Sequence, residues 1–390
     1  MLSACAESPP PFEPTSVAVP SAAGAKGPRI SGSLQQGLIL SWMEADDSGA
    51  ALHYSRWSDG QWSEPQTIVE NVDMFVNWAD MPSVQPMGEN TLAAHWLEMS
   101  ADLTYSYDVV FVQSADGGGT WSEPLRPHDD GTPTEHGFVS MFADESGTGL
   151  IWLDGRKTGN EKTGDPADTG MTLRAATIGG DSTLQDEQLV DELICDCCQT
   201  DIAIASSGAV AVYRDRSPDE IRDISVTRRI DGRWTPGRPI AADNWEIPGC
   251  PVNGPAIVAA GEFVAVAWFT GAGGHPLVKL AMSSDSGATF AAPIEVAAGA
   301  TQGRVGLALL DNGDVAVSWL QSGESGTHPV FARRYSAAGA PGPARLVTPD
   351  AAAFSFPQIA LSGDDLVFVW TETEAAINSL HSARVAAAAL

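Results

Sequence analysis

Four of the five cysteines in this sequence lie in two short segments whose residues could carry thiol chemistry. One segment is Cys195-Asp196-Cys197-Cys198, and the other begins at Cys250. An even set of cysteines outside the cytoplasm usually forms disulfides, and we expect at least one bridge from the first segment to Cys250. Alternatively, the thiolates bind Cu(I) or Zn(II) together with His136 and Asp80. A strained, redox-active disulfide is the third interpretation.

Arginines and acids recur at a second set of positions, beside short apolar segments. The chain has only 21 basic residues, so several arginines converging on one place would mark a site for an anion. The candidates to bind a carboxylate, a phosphate or a sugar diol are Arg29, Asp80, Asp154, Arg156, Arg214, Asp215 and Arg304. For any one of them, a solvated loop end is the alternative. The charged loop from Tyr213 to Asp223 is either paired with itself or a set of arginine forks.

These candidates are positioned by a sequence repeat. Each copy has an apolar strand, a Gly or Asn turn, and a second strand that ends in an aromatic residue. The closing aromatics, spaced 51 to 61 residues apart, are Trp42, Trp96, Trp152, Tyr213, Trp268, Trp319 and Trp370. Periods near 50 residues built from short strands are typical of a β-propeller, in which each sheet covers its neighbours. We predict an all-β fold over residues 21–390, a single propeller of about seven four-stranded blades, with six blades as the alternative.

The propeller geometry predicts which residues meet. The residues just before the first strand of each blade, and those just after the second, line the same mouth of the central channel. The candidate arginines and acids occupy these positions, as do Glu44, Glu98 and Glu372. The cysteine segments open the fourth and fifth blades, next to His136, which opens the third. We expect a common anion site for Arg29, Arg156 and Arg214.

Two turns of the repeat fit the pattern Ser-x-Asp-x-Gly-x-Thr-aromatic. They are Ser114–Trp121 and Ser283–Phe290, and shorter versions lie at Ser58–Trp62 and Ile230–Trp234. In such a turn the Asp accepts backbone N–H bonds and the Gly adopts a positive φ. The pattern is the Asp box (BNR repeat), and residues 25–390 therefore resemble the sialidase superfamily.

The resemblance implies a fold and a candidate activity, that of an exo-α-sialidase. The family uses an arginine triad for the sugar carboxylate, a Tyr nucleophile with its Glu, and an Asp acid/base. Pro28-Arg29-Ile30-Ser31 is similar to the motif of the first triad arginine, and Arg156, Arg214 and Arg304 are candidates for the others. The chain departs from the family at the nucleophile, because no tyrosine lies late in the sequence on the mouth face.

Three classes of function follow. The first is a non-enzymatic propeller that binds a small anionic or glycan ligand at the channel mouth, with or without copper or zinc. The second is a glycoside hydrolase of the sialidase type, and the third is a protein-interaction scaffold. With 50 acidic and 21 basic residues, the net charge of −29 disfavours nucleic acid and anionic membrane surfaces as partners. No apolar run is long enough to predict a transmembrane helix.

Residues 1–20 predict an anchor and a tether. Leu2-Ser3-Ala4-Cys5 resembles the bacterial lipoprotein box, in which the cysteine is lipidated, and an incidental cysteine is the alternative. The Pro-rich stretch Ser8–Pro14 is typical of a semi-rigid tether. Ser16–Val19 would supply an outer strand for the last blade and close the ring. We expect a lipoprotein of the bacterial cell envelope, periplasmic or on the outer surface, that meets the membrane only through its lipid.

Lipidation of Cys5 can be tested in a bacterial host that expresses the gene with its upstream region. Because the lipid would be the membrane attachment, Cys5→Ser should move the protein from the membrane fraction to the soluble fraction. Cell fractionation with immunoblotting measures the change, and Ser8→Ala in the tether is the control. Membrane retention of the Cys5→Ser protein would contradict the prediction.

Overall fold

The computed structural model describes residues 10–33, 37–158 and 169–390, so Cys5 lies outside the described residues. The first strands in chain order are β1 (Thr15–Val17), β2 (Lys26–Ser33), β3 (Gly37–Asp46), β4 (Gly49–Ser58), β5 (Gln61–Trp62), β6 (Gln66–Val72), β7 (Ser83–Pro86), β8 (Leu92–Met99), β9 (Tyr107–Ser114), β10 (His136–Asp144), β11 (Gly147–Asp154), β12 (Met171–Gly179) and β13 (Leu184–Ile194). The remaining strands are β14 (Asp201–Ala205), β15 (Gly208–Arg214), β16 (Ile224–Ile230), β17 (Arg233–Trp234), β18 (Arg238–Pro239), β19 (Ala256–Ala260), β20 (Phe263–Thr270), β21 (Leu277–Ser283), β22 (Ile294–Ala298), β23 (Thr301–Leu309), β24 (Val315–Gln321), β25 (Val330–Tyr335), β26 (Arg345–Thr348), β27 (Gln358–Ser362), β28 (Asp365–Glu374) and β29 (Ile377–Ala386). Short 3-10 turns lie at Ala272–Gly274, Glu324–Gly326 and Ala387–Ala389.

The strands form the seven antiparallel blades of a propeller. In chain order, blade 1 is β2–β6, blade 2 is β7–β9, blade 3 is β10–β13, blade 4 is β14–β18, blade 5 is β19–β22, blade 6 is β23–β26, and blade 7 is β27–β29 with β1. In each blade the first three strands in chain order are hydrogen-bonded neighbours from the inner edge outward, with β27, β28 and β29 as those of blade 7. Strand β6 pairs with β4, strand β18 pairs with β16, and β1 pairs with β29. The predicted all-β propeller is therefore confirmed, with seven blades rather than six. Within the described ranges, no helix is long and apolar enough to cross a membrane.

The first strand of each blade is innermost and faces the axis. Strand β2 contacts β7 and β27, and β19 contacts β14 and β23, so the inner strands follow one another around the ring. They enclose a channel of about 1020 Å³. Arg29, Gln199 and Phe356 line this channel beside the starts of their inner strands. We call that end of the channel the upper mouth.

The hydrophobic core lies between the blades. Trp96 of blade 2 packs with Ile39 and Leu52 of blade 1, and Trp42 of blade 1 packs with Val367 of blade 7. The closing aromatics are almost completely buried, with Trp42 at 0% and Trp268 at 1% exposure. Burial of such large side chains stabilises each interface by roughly 2–3 kcal/mol per residue. The spacing of these aromatics in the sequence thus corresponds to one buried ring for each blade.

The turns that match the Asp-box pattern share one hydrogen-bond arrangement. Asp116 accepts the backbone N–H and the hydroxyl of Thr120, both at 2.8 Å. Asp285 accepts the same two donors from Thr289, at 2.8 and 2.6 Å. The glycine two residues after each aspartate has a positive φ, 93° at Gly118 and 76° at Gly287, which explains why glycine stands there.

Blade 7 is assembled from two distant parts of the chain. Strand β1 pairs antiparallel with β29, with Thr15 opposite Arg384 and Val17 opposite Ser382. The hydroxyl of Ser382 also donates to the carbonyl oxygen of Val17 at 2.9 Å. Val17 and Val19 pack against the buried residues shared by blades 1 and 7. The pairing gives β29 a neighbour on its outer side and closes the ring.

Removal of β1 tests how much this closure contributes. Deletion of residues 1–19 would withdraw two half-buried valines and the β1 ladder, which should lower the free energy of unfolding by about 2–3 kcal/mol. Thermal or urea unfolding measures the loss, and deletion of residues 1–9, which leaves β1 in place, is the matched control. Equal stability of the two truncated proteins would show that β1 does not contribute to closure.

Candidate functional site

The cysteines of the first segment form a compact cluster in the connection from β13 to β14. The Sγ atom of Cys195 lies 3.0 Å from Sγ of Cys198 and 4.0 Å from Sγ of Cys197. The backbone N–H of Cys195 donates to the carbonyl of Arg214 at 3.1 Å, which holds the segment against the end of β15. Cys198 is followed by Gln199, which lines the channel. The cluster therefore lies at the edge of the upper mouth, as the strand order predicts.

Cys250 approaches this cluster from the loop before blade 5. It is exposed, whereas Cys195 and Cys198 are buried, and all four are free thiols. The described residues therefore show no disulfide from the first segment to Cys250. Cys250 lies beside Cys197, and its interaction with that thiol lowers the pKa of Cys250.

Guanidinium groups surround the buried thiols. Nη1 of Arg222 lies 3.4 Å from Sγ of Cys195. Burial opposes ionisation of Cys195, but its hydrogen bonds with Cys197 and Cys198 and the charge of Arg214 outweigh burial and hold the pKa of the Cys195 thiol well below its usual range. Burial raises the pKa of Cys198.

The charged loop that follows β15 is largely paired with itself. Arg216 donates to both Glu220 and Asp196, and Arg222 donates to Glu220 at 2.8 Å. The carboxylate of Asp215, a candidate ligand-binding group, accepts a hydrogen bond from the hydroxyl of Ser225 at 2.9 Å, which joins the start of the loop to β16. These bonds agree with the self-paired interpretation, and Arg222 also contacts the thiol of Cys195. The interpretation as arginine forks for an external anion stays a prediction. Sequence reasoning included Arg222 in the loop but did not select it as a site residue.

Arg214 is a structural arginine, which corrects its assignment as a ligand-binding residue. Its guanidinium is 2% exposed and donates to the carbonyls of Arg222, Asn253 and Phe269 at 2.7 to 3.0 Å. The group also lies 4.8 Å from the ring centre of Trp245. Backbone carbonyls from blades 4 and 5 therefore accept four bonds from its five N–H groups.

The common anion site expected for Arg29, Arg156 and Arg214 is not assembled. Arg29 faces Asp201 at 3.9 Å, whereas Arg156 donates twice to Asp154 at 2.7 Å. The three guanidinium groups have separate partners, so the prediction that they converge is wrong. Nearby acids pair with Arg29 and Arg156, whereas backbone carbonyls accept the hydrogen bonds of Arg214.

His136 lies away from the cysteines, which corrects its assignment as a further thiol-site ligand. Its ring is fully buried and stacks on His128 with centroids 3.9 Å apart. Nε2 of His136 lies 3.1 Å from Asp130 and 3.8 Å from Asp154. Burial, reinforced by His136, lowers the pKa of His128 to about 4. His128 and Asp130 come from the long connection between blades 2 and 3, whose path the repeat did not predict.

The acids at the ends of the second strands have a shared structural role. Side chains two residues apart in a strand lie on the same face, so an acid two positions after a closing tryptophan can reach its indole N–H. Trp42 donates to Glu44, and Trp96 donates to Glu98, each at 2.8 Å. The same bond joins Trp152 to Asp154 at 2.9 Å and Trp370 to Glu372 at 2.8 Å. Polarity at these positions therefore reflects indole pairing.

Asp80 belongs to a buried group that holds a proton. Its Oδ1 accepts the backbone N–H of Phe138 at 2.7 Å, and its Oδ2 lies 3.0 Å from the hydroxyl of Tyr107. That hydroxyl also lies 2.6 Å from Glu135. A phenol has one proton, so the second bond forms when a carboxyl supplies another. Burial, with Glu135 nearby, raises the pKa of Asp80 to about 8, and burial raises the pKa of Glu135 to about 7.

Arg304 is the candidate whose guanidinium remains unpaired. Its Nε and Nη1 are buried and have no hydrogen-bond partner among the residues that the structure describes. The group lies 4.3 Å from the ring centre of Phe356 and 5.0 Å from that of Trp78, which is 37% exposed. Burial lowers the pKa of Arg304 to about 10. The aromatic residues were not predicted, although Trp78 stands two residues before the candidate Asp80.

Known proteins resemble this chain in fold. No family model matches it, and neither does any curated protein. A protein of unknown function from Dyadobacter fermentans has a TM-score of 0.53 at 13% identity, with 96% of this chain and 99% of that chain covered. The phage phi92 endosialidase has a TM-score of 0.52 at 9% identity, covering 96% of this chain and 69% of its own. The chain therefore has a sialidase-like propeller fold.

The proton held by Asp80 should appear in the pH dependence of stability. An unfolded Asp ionises near pH 3.9, whereas the folded pKa is about 8, so between about pH 5 and 7 folding retains one extra proton. The contribution of Asp80 to stability is then fully present below about pH 4 and falls by about 1.4 kcal/mol per pH unit towards pH 8. Asp80→Asn, which mimics the protonated acid, should remove that slope. Urea unfolding at a series of pH values measures the slope for the variant and for the wild type. The control variant Asp311→Asn, at an exposed position, should keep the wild-type slope. A slope unaffected by Asp80→Asn would contradict this assignment.

Proposed function

We propose that this chain is an extracytoplasmic binding protein whose upper mouth takes a small anionic ligand, such as a sugar that carries a carboxylate or a phosphate. The observation that carries this function is the unpaired guanidinium of Arg304. By contrast, Arg29 and Arg156 face carboxylates, and backbone carbonyls hold Arg214. Among the described residues, Arg304 is the candidate arginine with two buried donors that lack a hydrogen-bond partner.

The environment of Arg304 favours an anion. A guanidinium whose donors are withdrawn from water is costly unless a partner supplies charge and acceptors. Trp78 and Phe356 stabilise the cation through their ring faces but accept no N–H bond in the plane of the guanidinium. A bound carboxylate or phosphate would satisfy those donors. The exposed part of Trp78 offers an apolar surface to a sugar ring.

The backbone at Arg304 is held in position before any ligand arrives. Its φ of 53° lies in the left-handed region, where a residue other than glycine costs on the order of 1 kcal/mol. The side-chain oxygen of Asn253 accepts its backbone N–H at 2.8 Å, which secures this conformation. Gly303, with φ at 75°, precedes it at a register shift between β23 and β24. The strain supports a functional role because it fixes where the side chain departs from the strand.

Hydrolysis of a sialoside is the less supported activity. The phi92 endosialidase shares the fold, but the exo-sialidase chemistry that the Asp-box resemblance implies needs a tyrosine that can attack the substrate. Tyr107 has a carboxyl partner, Glu135, yet its side chain is fully buried. A binding function requires no such nucleophile. Attachment to the cell envelope by a lipid on Cys5 fits a receptor for a ligand outside the cytoplasm and is part of the same proposal.

Anion binding can be measured by calorimetry with N-acetylneuraminate, glucuronate and glucose 6-phosphate, with N-acetylglucosamine as the uncharged comparison. At least one anion should bind, and Arg304→Gln should weaken it by roughly 1.5–3 kcal/mol, about 10- to 150-fold, because charge-assisted bonds are lost. Arg345→Gln, which removes an exposed arginine from β26, should leave affinity unchanged.

The same titrations can also contradict the proposed anion site. Wild-type protein that binds none of the anions, or Arg304→Gln protein that binds them as tightly, would overturn the proposed site. Release of the fluorophore from a fluorogenic sialoside by the wild type would establish hydrolysis in place of simple binding.

A further inference from the structure

The cysteine cluster supports a second site. The Sγ atoms of Cys195, Cys197 and Cys198 all lie within 4.8 Å of one another. We propose that these three thiols, as thiolates, bind one soft metal ion, Cu(I), at the edge of the upper mouth. Arg304 lies close enough for its charge to interact with Cys197 and Cys198, but the metal site rests on the positions of the sulfur atoms and is tested by metal binding alone.

The sulfur positions are close to those of a metal–thiolate site. Thiolates bound at about 2.3 Å stand about 4 Å apart when three of them surround one ion. The separation between Cys195 and Cys197 is 4.0 Å, and that between Cys195 and Cys198 is 3.0 Å. Small rotations of buried side chains would therefore complete the triangle. The three ligands come from four consecutive residues, so the segment brings them together without movement of a blade.

The charges around the cluster distinguish a metal–thiolate site from a disulfide. Arg222 reaches the Sγ of Cys195 at 3.4 Å, and the charge of Arg214 acts on both Cys195 and Cys198. Within the described ranges, Arg214 forms no ion pair with a carboxylate, since its donors go to backbone carbonyls. Three thiolates and Cu(I) carry a net charge of −2, which places negative charge beside Arg214, whereas Arg222 already has a carboxylate partner in Glu220 at 2.8 Å. A neutral disulfide would leave the buried charge of Arg214 uncompensated.

The available ligands favour Cu(I) over Zn(II). Structural zinc sites take four ligands, whereas soft thiolates alone suit Cu(I). Asp196 is engaged by Arg216 at 3.1 Å, and His136 is engaged by Asp130, so neither completes a set of four. Cys250 lies outside the three-sulfur group and is exposed beside Cys197. Its position suits a thiol that passes the ion from solvent to the buried cysteines.

The test uses full-length protein, reduced and handled without air. Titration into the coloured Cu(I) complex of bathocuproine disulfonate should withdraw one Cu(I) per chain, and X-ray absorption should give only sulfur neighbours. A parallel titration with Zn(II) and a chromogenic zinc chelator should show no retained zinc. No withdrawal of Cu(I), nitrogen or oxygen neighbours in the absorption spectrum, or preferential retention of Zn(II) would each overturn the assignment.

Variants identify the ligands. Cys195→Ser and Cys198→Ser should weaken Cu(I) binding by at least about 100-fold, because loss of a ligand exceeds the 10- to 100-fold typical of an outer-shell partner. Cys250→Ser should keep one Cu(I) per chain but slow its uptake, and Cys5→Ser is the control that should change neither. Equal binding by Cys198→Ser and wild type would refute the three-thiolate site.

A measurement on the wild type guards against variants that fail to fold. One equivalent of Cu(I) should raise the midpoint of thermal unfolding of the reduced protein, since only the folded chain presents the three thiolates together. An intact mass that shows a Cys195–Cys198 disulfide in untreated protein, together with no rise on addition of Cu(I) after reduction, would assign the pair to a structural bridge and overturn the metal site.

Discussion

Burial of one closing aromatic between each blade and its neighbour is the interaction on which the rest of the structure depends. A small twisted sheet has two apolar faces and can cover them only against adjacent sheets, so the ring must close for any blade to be stable. A buried indole also needs an acceptor for its N–H. Trp42 and Trp370 find theirs in the acid two residues further along the same strand face. The fold therefore engages acids that would otherwise line the upper mouth.

This use of acids shapes the electrostatics of the site. The chain carries a net charge of −29, yet Arg214, Arg222 and Arg304 gather near the cysteines. Where acids occur at that edge, they are already held, as Asp196 is by Arg216. A protein that repels anions over most of its surface thus concentrates positive charge at one buried place. Anionic ligands or thiolates are the natural complement of such a place.

The elements were more predictable than the contacts between them. Seven copies of one pattern predicted the blades, because strand lengths, turns and closing aromatics are local features that recur in the sequence. Strand order then placed Cys195–Cys198 and Cys250 in neighbouring loops. It did not determine where polar side chains turn: His136 pairs with Asp130 from a long connection, and Arg214 reaches carbonyls of blade 5. Such choices depend on loop paths and on competition among nearby partners, for which the repeat carries no signal.

The assembly of blade 7 has a consequence for the order of events during synthesis. Strand β1 is made long before its partner β29, which begins only at Ile377. The bond from Ser382 to Val17 and the bond from Trp62 to Ser382 span 365 and 320 residues. The ring of a growing chain therefore stays open until β29 has been made. The contacts with the largest sequence separation, which have the largest loop-closure entropy cost, form last. Until β28 and β29 have been made, the exposed strand edges of the earlier blades would be targets for chaperones.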